Sequence, residues 1–178
     1  MKKIFLAASG VFGAIPGLVI IQTGLGTPPG YNLLFGGVVE AFGALTIIIL
    51  WVNRRKLEKF NYRKATKYAL IFTLLCFVFL AVYIALFNHS VINNKARGTA
   101  YYPLWTSGEI AEMVTAAGGR NAAIDEYGIM EVREAIFKMP SLVLTLTTVL
   151  HLIFYQAVFT SLALAFGVLG FQKDLVLK

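Results

Sequence analysis

Apolar residues in this chain gather into four long runs, with polar residues collected between them. The runs cover positions 4–22, 33–52, 68–87 and 141–171. Each approaches or exceeds the roughly 20 residues an α-helix needs to cross the hydrocarbon core of a bilayer. The pattern predicts an all-α integral membrane protein, built as one domain over residues 1–178: a four-transmembrane-helix bundle. The fourth run, at about 46 Å for 1.5 Å per residue, is longer than the core and should tilt or emerge from it. The first begins with Met1-Lys2-Lys3, as a signal peptide does. Its apolar part is longer than a signal peptide's and no A-x-A-like site follows, so a retained span is expected.

The segments between the runs differ in kind. Gly24–Tyr31 is a short uncharged turn rich in Gly and Pro. Residues 53–67 form a basic loop. Residues 88–139 form the single long polar segment, and two helices are expected there. Thr106-Ser107-Gly108-Glu109 matches the S/T-x-x-E capping box, and Gly118 offers a stop. Ile129, Val132 and Ile136 share one face of a second helix over 122–138, although Gly128 interrupts it. Pro140 suits the first turn of the fourth span. Trp105, Tyr101 and Tyr102 read as an aromatic belt at the interface.

Two ionisable residues lie inside the apolar runs, where a charge costs about 2.5–3.5 kcal/mol or more. Glu40 sits in the second, with Gly36 and Ala44 four residues either way and Gly43 three on. His151 sits in the fourth, and Thr148, His151 and Tyr155 fall within an arc of roughly 60° at 100° per residue. Both runs would traverse the membrane in the same direction, with Glu40 and His151 at matched depth. A Glu40–His151 pair would reduce the cost of both. Each reading has a plainer counterpart: a protonated packing acid at Glu40, and a stripe of interhelical hydrogen bonds around His151. Ser9, Gly13 and Gly17 form a small-xxx-small face on the first run, and Gly36 and Gly43 do so on the second, both suited to close helix packing.

Charge then orients the bundle. The basic loop holds Arg54, Arg55, Lys56, Lys59, Arg63, Lys64 and Lys67 against one acid, Glu58. With the N-terminus inside, 11 of the 16 cations face the cytoplasm and six of the nine acids face out. The positive-inside rule therefore favours N-in and C-in, in a bacterial inner (plasma) membrane. The loop's cations suit anionic lipid headgroups, or a soluble cytoplasmic protein or nucleotide, with Phe60 and Tyr62 able to stack on bases. No glycine-rich phosphate motif accompanies them.

Catalytic patterns are poor. There is one cysteine, and the two histidines belong to no H-E-x-x-H or G-x-S-x-G motif. No enzyme, cofactor or metal is expected. In size, span count and basic inner loop the chain resembles the small four-span membrane components of bacterial antiphage systems, such as the Kiwa membrane subunit or nucleotide-gated membrane effectors. The resemblance rests on layout and carries over no residues. It implies a tetramer-like assembly with a soluble protein or nucleotide signal. The expected function is a homo-oligomeric membrane sensor or channel-like protein. The alternative is a non-conducting accessory subunit of a larger membrane complex.

Overall fold

The computed structural model describes the backbone of residues 2–23 and 32–171, and the side-chain surroundings of residues 3–14 and 37–171. Helices dominate: α1 (Lys2–Thr23), α2 (Asn32–Val52), α3 (Arg54–Leu57), α4 (Tyr62–Ser90), α5 (Glu109–Ala116), α6 (Arg120–Tyr127), α7 (Ile129–Phe137) and α8 (Ser141–Gly170). A hairpin of β1 (Val91–Asn94) and β2 (Gly98–Tyr101) follows α4. Each apolar run lies on one long helix. Of these, α4 and α8 are long and apolar enough to cross a membrane. The described apolar parts of α1 and α2, Lys3–Ala14 and Gly37–Val52, are shorter. The expected turn at Gly24–Tyr31, residues 172–178, and the surroundings of Gly17 and Gly36 lie outside the described residues.

The chain divides into two compact units, one of Met1–Val82 with Leu152–Lys178, the other of Tyr83–His151. In the first, α1 and α2 cross where neither has a side chain. A Cβ added at Gly43 would stand 1.8 Å from the carbonyl oxygen of Gly13. The buried face of α2 is Val39, Gly43, Thr46 and Leu50, spaced as one helical stripe. Ser9 on α1 donates its hydroxyl to the Ala163 carbonyl of α8 at 2.8 Å. Phe12 stacks on Phe166 with ring centroids 5.3 Å apart. By contrast, only 6% of the most apolar stretch of α4 is buried.

The second unit holds a compact core of its own. Tyr102, Ile110, Ile124, Val132, Ala123 and Ala100 are almost wholly enclosed. The hairpin was not anticipated, since an all-helical outer segment was expected. Its strands carry the β-branched residues Val91, Ile92 and Thr99, and pair antiparallel from Val91 opposite Tyr101 to Asn94 opposite Gly98. Asn94 builds the turn: its Oδ1 accepts the backbone N–H groups of Ala96 and Arg97. Its Nδ2 donates to Asp125 at 2.7 Å and ties the turn to α6.

Three further expectations change here. The capping box does not close. The residue before α5 is Gly108, with a positive φ of 64° and no side-chain cap, so neither Thr106 nor Ser107 caps the helix. The helix expected over 122–138 is two helices, because Gly128 adopts φ 86° and breaks it. Tyr102 is a core residue, 1% exposed, and so does not belong to an aromatic belt, whereas Trp105 is exposed.

Arg120 secures this unit. Its guanidinium lies over the Tyr102 ring at 5.3 Å and donates to the carbonyls of His89 and Pro103. Tyr102 returns its hydroxyl to the Arg120 carbonyl at 2.9 Å. The His89 carbonyl belongs to the last turn of α4, where helix carbonyls lack intrahelical donors. A cation there satisfies the helix end and complements its dipole.

Candidate functional site

Four polar residues along the middle of α8 are buried, whereas Ser141 and Thr145 are exposed. Thr147, Thr148, His151 and Tyr155 are 5%, 7%, 3% and 8% exposed. The helical spacing that aligned Thr148, His151 and Tyr155 thus corresponds to a buried stripe. Much of its hydrogen bonding stays within the helix. Thr148 donates its hydroxyl to the Leu144 carbonyl at 2.9 Å. The Nδ1 of His151 donates to the Thr147 carbonyl at 2.7 Å. A carbonyl only accepts, so the ring proton sits on Nδ1 and Nε2 is a bare acceptor. That Nε2 is buried and has no hydrogen-bond partner among the described residues. Tyr83 of α4 meets the imidazole edge-on, with centroids 6.5 Å apart at 83°.

Thr147 also bonds outside its helix. The backbone N–H of Leu104, in the polar segment, donates to Thr147 Oγ1 at 3.1 Å. Thr147 therefore holds the imidazole through its carbonyl and the polar segment through its hydroxyl. Position in sequence gives no hint of this, because the partners lie 43 residues apart.

Of the expected pair, Glu40 belongs to the first unit and His151 to the second. The imidazole's one hydrogen bond is to its own helix, and the Glu40 side chain is exposed. Gly43 faces α1, so the small residues around Glu40 are divided: Gly43 is buried, and Ala44 is exposed with Glu40. Among the described residues the Glu40 carboxylate has no ion pair, and its exposed neighbours Gly37, Ala41, Ala44 and Ile48 are small or apolar.

Of the expected packing residues, Ser9 is bonded to Ala163 and Gly13 is packed on Gly43 within one chain. A groove of about 230 Å³ runs between α2 and the second half of α8, lined by Val39, Phe42, Ile153 and Ala157 together with Gln156 and Thr160. Gln156 Nε2 donates to Thr160 Oγ1 at 3.2 Å, while Gln156 Oε1 is buried with no hydrogen-bond partner among the described residues.

The basic residues are all exposed. They lie on more ordered backbone than a loop: Arg54, Arg55 and Lys56 on α3, and Arg63, Lys64 and Lys67 on the first turns of α4. The Asn61 side chain accepts the Lys64 N–H at 2.8 Å and so starts that helix. Three cations at a helix N-terminus oppose its dipole, which favours anions there. Arg54 sits 4.8 Å above the Trp51 ring, and Phe60 stacks on Tyr68. The two ion pairs among the described residues both belong to Lys138, so none of these seven cations is paired with a carboxylate among the described residues.

No group of three or more His, Cys, Asp or Glu side chains converges as a metal site among the described residues. No protein-family model, curated protein or solved structure matches this chain.

Proposed function

We propose that this chain is a homo-oligomeric membrane sensor or channel-like protein. It has four spans with both termini in the cytoplasm of a bacterial cell. It couples the inner membrane to a soluble protein or nucleotide through Arg54, Arg55, Lys56, Lys59, Arg63, Lys64 and Lys67, in a bacterial defence setting. The observation that carries the reading is Glu40, an exposed carboxylate on an apolar helix. Facing lipid it would cost several kcal/mol, about 2.5–3.5 on insertion scales. Facing the same group of a second copy, with Gly37, Ala41 and Ala44 allowing close approach, it would be hydrogen-bonded or would line a wet path. The exposed cations support the second half of the reading, since seven of them stand against a single acid, Glu58, and offer an anionic partner a basic surface.

The test is mass determination in nanodiscs, followed by ion flux in liposomes. Assembly is expected in the parent and in Glu40→Gln, which keeps the hydrogen-bonding shape. Flux or signalling is expected to be lost in Glu40→Gln, and assembly to weaken in Glu40→Leu. A uniform monomer in nanodiscs would sink the reading. The scarcely buried surface of α4 favours one alternative, a non-conducting accessory subunit that lays this helix against a different protein. A monomer that copurifies only with other chains would select it.

A further inference from the structure

We infer that α7 is an interfacial helix, whose outer face lies in the lipid headgroup region of the leaflet in which α8 begins. The inference rests on the proposed function only in taking α8 to cross a membrane, and asks nothing of assembly or signalling.

A surface helix packs one face on the core and turns polar residues to water. Helix α7 departs from that rule. Its core face is Val132, Ala135 and Ile136, all buried. At 100° per residue, Met130 and Phe137 stand together on the opposite side. They are 74% and 78% exposed, more than any other large apolar side chain among the described residues. Even the apolar side chains of α4, a candidate membrane span, are less exposed. An apolar face of this kind beds about 5–10 Å into the boundary between headgroups and acyl chains.

The chain holds α7 at that level. Only Lys138, Met139 and Pro140 separate it from α8. With 30 residues, α8 is about 45 Å long against about 30 Å of hydrocarbon, so its ends stand among headgroups. Leu142 on its first turn is 67% exposed, and Leu146 and Val149 continue the exposed stripe. A second stretch of chain marks the same level. The Leu104 N–H is bonded to Thr147, about 9 Å along α8 from Ser141. The next residue, Trp105, is exposed, and indole favours the headgroup region. Lys138 at the end of α7 pairs with Glu109, which follows that stretch, so both are tied to one end of α8.

Charge identifies the kind of lipid. On and just after α7, Arg133 and Lys138 balance Glu131 and Glu134. Lys138 is paired with Glu109 and Glu134, and Arg133 donates to the Thr99 carbonyl. This face therefore needs no anionic headgroup, and a zwitterionic bilayer is sufficient.

The experiment uses the full chain with Cys76→Ser in phosphatidylcholine nanodiscs. Nitroxides are attached at Met130→Cys and at Phe137→Cys. Their collisions with oxygen, which concentrates in lipid, are compared with collisions with a water-soluble nickel chelate. Both labels should favour oxygen, as should Leu74→Cys, exposed on α4. Glu126→Cys, exposed on α6, should favour the chelate. The chain has two tryptophans, so Trp51→Phe leaves Trp105 as the single emitter. Phosphatidylcholine brominated on its acyl chains should quench Trp105, and Met130→Ser with Phe137→Ser should reduce that quenching. Labels on α7 that favour the chelate, or that are shielded from both reagents by a second copy, overturn the inference. Trp105 emission indifferent to brominated lipid does so too. A Leu74→Cys label in water removes the span and this inference with it, whereas Leu74→Cys in lipid with α7 in water refutes this inference alone. Labels on α7 in lipid, on a chain of uniformly monomeric mass, refute assembly alone.

Discussion

Tyr102 shows how much a single buried side chain carries. Burial pushes its hydroxyl up to about 12, against an ordinary value of 10.0, and the Arg120 guanidinium pulls it partly back. The folded chain therefore keeps this proton at a pH where the unfolded chain gives it up. Stability from this group is present below about pH 10 and is lost as pH rises from about 10 towards about 12. Thermal unfolding followed from pH 8 to pH 12 should show the midpoint falling across that window. Tyr102→Phe removes the bond to the Arg120 carbonyl, and should cost about 1 kcal/mol at neutral pH. It should also flatten the alkaline fall. An unchanged fall in the variant would assign it to another group.

At the scale of elements, the crossing of α1 and α2 depends on two glycines. Hydrogen-only positions let the backbones touch at Gly13 and Gly43, and a methyl group at Gly43 would meet a carbonyl oxygen rather than a movable side chain. The helices must then separate, and Ser9, Leu50 and the phenylalanine stack near the crossing lose contact. Gly43→Ala should destabilise the chain by about 1–3 kcal/mol, the usual cost of overpacking. Gly10 on α1 is the control, because a Cβ there meets nothing within 4 Å. Gly10→Ala should leave stability unchanged or raise it by up to about 1 kcal/mol, through helix propensity alone. Thermal melts of both variants in detergent compare them, and equal effects would contradict the close crossing. The same contrast explains Gly128: it stops one helix and starts the next, so the amphipathic run around it cannot continue.

For the whole molecule, charge distribution is the organising quantity. The seven cations of 53–67 and the acid-rich outer segment should lie on opposite sides of the membrane, with the cations inside. In a Cys76→Ser background, Ser107→Cys should react with an impermeant maleimide on intact cells. Lys56→Cys should react only after lysis. Both positions are exposed, so accessibility within the fold does not interfere. The reverse pattern would invert the topology and remove the basic segment from the cytoplasm.

The four long helices, the basic segment and the polar face of α8 are legible in the residues themselves. The reason is that run length, charge excess and 100° spacing are local quantities. The stop at Gly118 and the start at Pro140 were legible as well, because each acts on its own turn, whereas the cap of α5 and the break at Gly128 were not. The hairpin was not: its signal is four short-range residues a side, and pairing 91–94 with 98–101 needs the turn that Asn94 builds through its own side chain. Likewise, depth suggested Glu40 as the partner of His151, but not the bond to the Thr147 carbonyl. Whether an imidazole turns to a carboxylate on another helix or to a carbonyl four residues back depends on how the helices rotate about their axes. That rotation is set by packing between residues distant in sequence. Tertiary structure alone therefore placed Glu40 on the exposed face, bonded His151 to Thr147, and brought Leu104 to the hydroxyl of the same residue.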